Sequence, residues 1–417
     1  MINQNNQKIW NKAFTCAFIA NFLLCISQFI VNPLVATYAD YLGASEVMIG
    51  IISGLYFGVS FAARPISGPA ITMFHKKKIM IFAYALGVIV NVGYALAGGI
   101  PLFIVSRFLH GLQFAFIGSL NYTLASDSLP PKKLASGLGL FGAAGAIATA
   151  IAPSIGLALR SWGEATFGNL GAGYTVVFLV AAACMAISLI PCALMPYKHR
   201  SKEELATLGA WYKNIIAPEA LLPAVVLTFF SMAQILYTIY MEPYALASGI
   251  KNIGLFFTVY AFVLLATRPL SGRLIDKYGI AKVLIPGTLI FALSYVVVGL
   301  GNSLTTVLLG AALAALGFGS AQPAIQVMGI QSVTPVRRGV ASNTNYFGID
   351  LGFFLGPTVG AVAYSYTKSY SMMFLLGVVP VFLALIIFLA GYKYQSKIIA
   401  QRALEAEKEW TKMNLAE

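Results

Sequence analysis

Apolar residues along this chain fall into runs of about 20 or more, separated by short polar clusters. A run of that length crosses roughly 30 Å of hydrocarbon as a helix. No strand-like alternation is visible, and backbone polar groups in lipid must be satisfied internally, so the runs predict helices and not a barrel. Twelve spans are predicted, at 13–39, 47–69, 78–99, 101–127, 134–159, 172–195, 219–247, 252–272, 280–300, 304–333, 339–366 and 370–392. The one sizeable internal polar stretch, PYKHRSKEELATLGAWYKN from residue 196, divides them six and six. The organisation expected is an all-α membrane protein with a six-helix bundle at 1–195, a cytoplasmic linker at 196–218, a second bundle at 219–393 and a cytoplasmic amphipathic tail at 394–417. The polar start MINQNNQKIWNK leads into a run too long for a cleaved signal, so that run is expected to remain as the first helix.

The two halves are also alike residue by residue. RPISGPAITMFHKKK at 64–78 reappears as RPLSGRLIDKYGIAK at 268–282, so that Arg64, Pro65, Ser67, Gly68 and Lys78 recur 204 positions later. The same offset carries Gly50 to Gly254, Tyr56 to Tyr260, Pro153 to Pro357 and Gly156 to Gly360. A single register held over this length indicates a duplicated bundle with a pseudo-twofold relation between its halves.

Composition sharpens the class. Apolar residues make up 59% of the chain and charged residues 10%, far from the balance of a soluble domain. The net charge of +13 could suggest nucleic acid. With the N-terminus inside, however, the outer loops hold only Arg160, Lys251 and Lys368, and the positive-inside bias explains the excess without a polyanion. Both termini are therefore expected in the cytoplasm. The four cysteines lie in apolar surroundings without metal-ligand spacing and read as packing residues, so no metal is expected. Loops this short leave no room for a soluble catalytic or nucleotide-binding domain. No phosphate-cradling GxxxxGK[ST] and no HExxH is present, so neither a cofactor nor an enzyme is expected.

Motifs at the helix ends carry a family resemblance. GRLIDKYG at 272–279 matches the G-x-L-x-D-R-x-G loop signature through Gly272, Asp276 and Gly279. The first-half copy keeps Gly68 and the basic run Lys76–Lys78, but has Thr72 in place of the acid and His75 in place of the second glycine. FIVSRFLHGLQFA resembles L-x-x-x-R-x-x-Q-G through Arg107 and Gly111, with His110 for Gln. GFFLGPTVG at 352–360 matches the antiporter signature G-x-x-x-G-P-x-x-G, which ATAIAPSIG in the fifth span keeps only through Pro153 and Gly156. The chain thus resembles the major facilitator superfamily over nearly its whole length, nearest in pattern to the drug:proton antiporter type. The resemblance implies a secondary transporter working by alternating access, with spans 1, 4, 7 and 10 lining the cavity.

Ionisable and amide groups inside a bilayer are costly and mark candidate sites. Proton coupling is assigned to Asp350, Glu242 and Arg107. Asp350 is a mid-membrane acid sharing a face with Asn343 and Tyr346. Glu242 precedes Pro243 and is paired by local pattern with Asn32–Pro33. Substrate contacts are expected from Asn21, Gln28 and Asn32 at i, i+7 and i+11, from Arg107, His110 and Phe114, from Gln234 and Tyr237, from Gln322 and Gln326, and from Asn343 and Tyr346. Each has a plainer alternative: Arg107 bonded to backbone carbonyls, or interhelical hydrogen bonds that only hold helices together. Gating is expected of Arg64, Gly68, Asp127, Arg268, Gly272 and Asp276, with Asp276 facing the loop that bears Arg337 and Arg338. Lys76, Lys77 and Lys78 read as topology anchors.

The expected function is proton-coupled efflux of a small, partly hydrophobic organic compound by a monomer in the plasma membrane, the inner membrane of a bacterium. Its partners are the substrate, protons and the lipid bilayer, with no nucleic acid. Alternatives are proton-coupled uptake of a small metabolite, a lipid flippase, or a membrane receptor that transports nothing.

Overall fold

The computed structural model describes residues 8–197, 203 and 206–415; the side chains of 46, 47 and 406–415 lie outside that description. Residues 198–202 and 204–205 of the expected linker and 416–417 of the expected tail also lie outside it. The described residues form helices and connecting turns: α1 Lys12–Val31, α2 Val35–Tyr41, α3 Glu46–Met73, α4 Lys76–Ala95, α5 Ile100–Asp127, α6 Leu134–Phe167 and α7 Leu170–Leu194. The second half adds α8 Leu221–Ala247, α9 Gly254–Tyr278, α10 Ile280–Leu300, α11 Leu304–Gln331, α12 Arg338–Thr367, α13 Tyr370–Leu376 and α14 Val378–Leu415. Twelve segments among the described residues are long and apolar enough to cross a membrane, in agreement with the sequence pattern.

Two spans are less regular than expected. A 3-10 turn at Asn32–Leu34, with Pro33 in its first turn, separates α1 from α2. The last span is split at Gly377, after which α14 runs on through the tail without a break. Local signals set many of the ends. Asn11 caps α1 by accepting from Phe14 N at 2.9 Å, Asn169 caps α7 by accepting from Ala172 N at 2.7 Å, and Ser303 and Thr306 form a capping box on α11. Gly279 joins α9 to α10 at φ +88°, a conformation that disfavours any side chain. In the first half His75 occupies that place at φ −70°, so the missing glycine of the motif reflects a different turn.

Contacts divide the chain into two compact units. Unit 1 is Met1–Ser67, Phe74–Pro130 and Phe141–His199; unit 2 is Gly68–Met73, Pro131–Leu140 and Arg200–Glu417. In unit 1, Val31, Tyr38, Tyr94, Phe103, Tyr174 and Phe178 form part of one buried cluster. Tyr38 Oη donates to Ala97 O at 2.7 Å, satisfying a carbonyl just beyond the end of α4. In unit 2 Tyr244 Oη donates to Val298 O at 3.0 Å and to Gly301 O, repeating that arrangement on α10. Gly156 packs on Ile30 and Gly360 on Leu236 and Tyr240, so the duplication is present in packing as well as in sequence.

Candidate functional site

In unit 1 the polar groups converge on α5. Arg107 and His110 are buried, at 4% and 2% exposure, and Phe114 stands one turn further along. Gly111 lets α3 approach so closely that a Cβ there would lie 2.6 Å from Tyr56 O. Tyr56 is thereby brought to the centre of the cluster. Its ring lies 4.8 Å from the His110 ring and 5.0 Å from Phe114, and the Arg107 guanidinium sits 4.9 Å above it. Gln28 on α1 donates through Nε2 to Tyr56 Oη at 2.9 Å, and His110 Nδ1 shares a hydrogen bond with Tyr94 Oη at 3.0 Å. Arg107 donates from Nε to Ile52 O at 3.2 Å and from Nη2 to Ser53 O at 3.3 Å. The plainer alternative for Arg107 thus accounts for one edge of its guanidinium.

Two turns deeper, Asn121 Nδ2 donates to Asn21 Oδ1 at 3.3 Å and to Tyr84 Oη at 2.9 Å. Asn21 and Gln28 therefore meet polar partners, while Asn32 does not join them. It keeps the phase of α1, its N–H bonding to Gln28 O, but is exposed where the helix passes into the 3-10 turn. Arg64 is fully buried, with Nη1 donating to Ala115 O at 2.8 Å and the guanidinium 5.8 Å from Phe114.

Unit 2 repeats part of this arrangement. Arg268 lies 5.8 Å from Phe318, the residue 204 positions after Phe114, and bonds to Gln322. Gln234 lies beside the Tyr260 hydroxyl. Tyr237, expected to face a cavity, stands in the core: it stacks on Tyr295 at 4.4 Å and its hydroxyl meets Ser294 at 2.8 Å. On α12, Asn343 and Asp350 are fully buried and Tyr346 is half-buried; Gln326 on α11 is buried, its carbonyl accepting from Asn345 at 3.0 Å. Glu242 is exposed near the end of α8, away from these buried groups.

The expected gating residues split in two. Asp127 pairs with Lys76, which is 1% exposed, so this lysine is a buried structural partner and more than a topology anchor. Lys77 caps the last turn of α7, donating to Ala193 O at 2.6 Å and Met195 O at 2.9 Å. In unit 2, Asp276 does not face the loop as expected, and Arg337 pairs with Glu219 at 2.6 Å. The Asp276 carboxylate instead accepts from Ala135 N at 3.1 Å and Ser136 N at 2.8 Å, capping the first turn of α6. Gly272 makes this possible, because its backbone touches Ala135 and Ser136. At the equivalent positions 204 residues away, Gly68 crosses Asn343 and the Thr72 hydroxyl faces Gly339 in the first turn of α12. Gly68 and Gly272 are thus both close-approach positions.

Sequence reasoning missed Tyr56 and Phe318 as cluster members, along with Tyr84, Tyr94 and Asn121. The offset of 204 could have found Phe318 from Phe114, and Asn121 lies near the Arg107 face of α5, fourteen residues on. Among the described residues no group of three or more His, Cys, Asp or Glu could hold a metal ion.

Comparison with known proteins bears on this arrangement. The Major Facilitator Superfamily sequence profile matches residues 17–251 and 224–413. The multidrug resistance protein MdtG of Escherichia coli is 27% identical over 411 residues, covering 93% of this chain and 95% of that protein. Among solved structures, the human organic anion transporter MFSD10 is similar at TM-score 0.74 and 15% identity, over 90% of this chain and 98% of that one. The E. coli fucose:proton symporter FucP is similar at TM-score 0.72 and 16% identity, over 90% and 97%. Both likenesses are of fold. With matching motifs, twelve spans and a profile covering both halves, the chain belongs to the Major Facilitator Superfamily of membrane transporters.

Proposed function

We propose that this transporter exports a small, partly hydrophobic organic compound in exchange for protons, as a monomer in the bacterial inner membrane with both termini in the cytoplasm. The observation that carries the coupling is Asp350: among the described residues it is the only acidic side chain that is buried. A carboxyl in that position can take up a proton from one side and release it to the other as the transporter changes state. Likeness to a multidrug resistance protein over nearly the full chain, and GFFLGPTVG beside Asp350 on α12, support export. Tyr56, Phe114, His110, Gln28 and Asn21 supply aromatic and amide surface for the substrate, and the Asp276 contact with α6 acts as a latch that is released in the opposite state.

The test is flux. A panel of fluorescent organic compounds is screened by thermal shift, and hits are followed in proteoliposomes under an imposed pH gradient. The wild type is expected to accumulate a hit against its gradient. Asp350→Asn should bind the hit but lose proton-driven accumulation while keeping exchange of labelled for unlabelled compound. Full accumulation by Asp350→Asn would remove Asp350 from the coupling, and flux indifferent to the pH gradient would replace antiport by facilitated diffusion.

A further inference from the structure

Arg107 is a buried positive charge, and among the described residues the titratable groups set against it are Tyr56, Tyr94 and His110. None is a carboxylate. Lys76, also buried in unit 1, has Asp127 beside it; Arg107 has the carbonyls of Ile52 and Ser53, the face of Tyr56 and the Tyr94 hydroxyl, none of which carries a negative charge. Carbonyl dipoles and a ring quadrupole offset part of the cost of burying a charge, but leave its sign unbalanced.

The hydrogen-bond pattern says where the balance can come from. A guanidinium presents two forked edges to an oxyanion, one through Nε and Nη2 and one through the two Nη atoms. On Arg107 the first edge is taken up by α3. Nη1 is buried and has no hydrogen-bond partner among the described residues. The second edge therefore still offers the paired N–H groups that a carboxylate, sulfonate or phosphonate accepts. Phe114 and Tyr56, 5.0 Å apart, flank the same stretch of α5 with apolar surface.

We infer that the substrate is an organic monoanion, docking its oxyanion on the free edge of Arg107 with its apolar body against Tyr56 and Phe114. This rests on the export reading for the substrate's role as cargo, and it narrows that reading to one sign of charge. A cationic compound of the same size would meet Arg107 with no neighbouring acid among the described residues to compensate, which excludes it by repulsion.

The test uses three compounds with one ring system and three charges: 1-naphthoate, 1-naphthamide and 1-naphthylmethylammonium. Binding to the full chain in nanodiscs is measured by titration calorimetry. The wild type should bind the naphthoate at least about tenfold more tightly than the amide, the value of a charge-assisted hydrogen-bond pair, and the ammonium more weakly still. Arg107→Gln should bring acid and amide to equal affinity. Arg107→Lys keeps the charge without the fork and should fall between. Because Arg107 also ties α3 to α5, circular dichroism and size exclusion accompany each variant, and the wild-type preference stands without them. A wild type that binds amide or ammonium as well as the acid, or binds none of the three, overturns the inference, as does a folded Arg107→Gln that keeps the preference. Acid-selective binding without proton-driven flux would sink the export reading and leave the anion site standing.

Discussion

Replacing Asp276 by Asn is the sharpest probe of the contact between α9 and the start of α6. The carboxylate accepts two backbone N–H groups, at 3.1 and 2.8 Å, where the helix leaves its first donors unsatisfied. An Asn side chain has one oxygen to offer and turns its NH2 toward the other donor. It also removes a negative charge from a helix N-terminus, worth about 0.3–1 kcal/mol at an exposed site. Charge-assisted bonds are roughly twice as strong as neutral ones, but Asp276 is exposed, which puts the sum toward the low end. The loss is about 1–2 kcal/mol, and under the proposed latch, in which the contact is made in one alternating state and released in the other, it appears as a change in their ratio. At 1.4 kcal/mol per decade the latched state should fall about 5- to 30-fold relative to its alternative. The assay is electron–electron double resonance between spin labels at Lys78 and Lys282, both exposed and 204 residues apart in the duplicated motif, after replacement of Cys16, Cys25, Cys184 and Cys192. The distance distribution of Asp276→Asn should shift weight to the population that is minor in the wild type. Superimposable distributions would show that this cap is not a latch.

Three further outcomes follow from the packing. Thr72→Asp places an acid beside Gly339 at the first turn of α12 and should move the same distribution the opposite way, toward the latched population. Lys76→Met removes the buried partner of the solvent-reached Asp127 and should lower the thermal unfolding midpoint, a loss of about 1 kcal/mol; adding Asp127→Leu should recover part of it, and a further fall would refute the pairing. Gly348→Ala drives a methyl into the Ala224 carbonyl where α12 crosses α8, and overpacking of this kind costs about 1–3 kcal/mol, readable as a drop in the midpoint in detergent.

How far the sequence reaches can be seen on α1 and α8. The spans were legible because lipid demands about 20 apolar residues per crossing, a constraint written in composition alone. Periodicity placed Asn21 and Gln28 on a common face, and both meet polar partners. It failed at Asn32 although the phase still holds there: the residue is exposed at the end of α1, beyond the level at which Asn21 and Gln28 find partners. Local pattern paired Glu242–Pro243 with Asn32–Pro33, an offset of 210, whereas Ile30 with Leu236 and Tyr38 with Tyr244 run at 206 and set Glu242 opposite Ala36. The two prolines also differ, since Pro243 lies inside an unbroken helix. Partners across helices were beyond reach for a simpler reason. Asp276 bonds to backbone N–H groups, which every residue except proline carries, so no residue type could announce them.

The duplication separates what the fold needs from what the transport cycle uses. Tyr56, Arg64 and Phe114 recur as Tyr260, Arg268 and Phe318, all at one offset, with each arginine 5.8 Å from its phenylalanine. A grouping kept in both halves packs the second span on the fourth, and in the first half its Tyr56 and Phe114 are also the surface proposed for the substrate. The latch positions obey the same offset but differ in chemistry: Asp276 at Ala135 carries a charge, and Thr72 at Gly339 carries a hydroxyl. Arg107 differs too, since its counterpart by offset is Ala311. Where two copies of one bundle keep a backbone crossing but exchange the side chain, packing does not require the exchange, and the divergent positions are where a cycle with unequal steps can be built. Asp276 and Arg107 are therefore the residues whose substitution should change state populations and ligand charge preference, while substitution of Tyr260 or Phe318 should first be felt as lost stability.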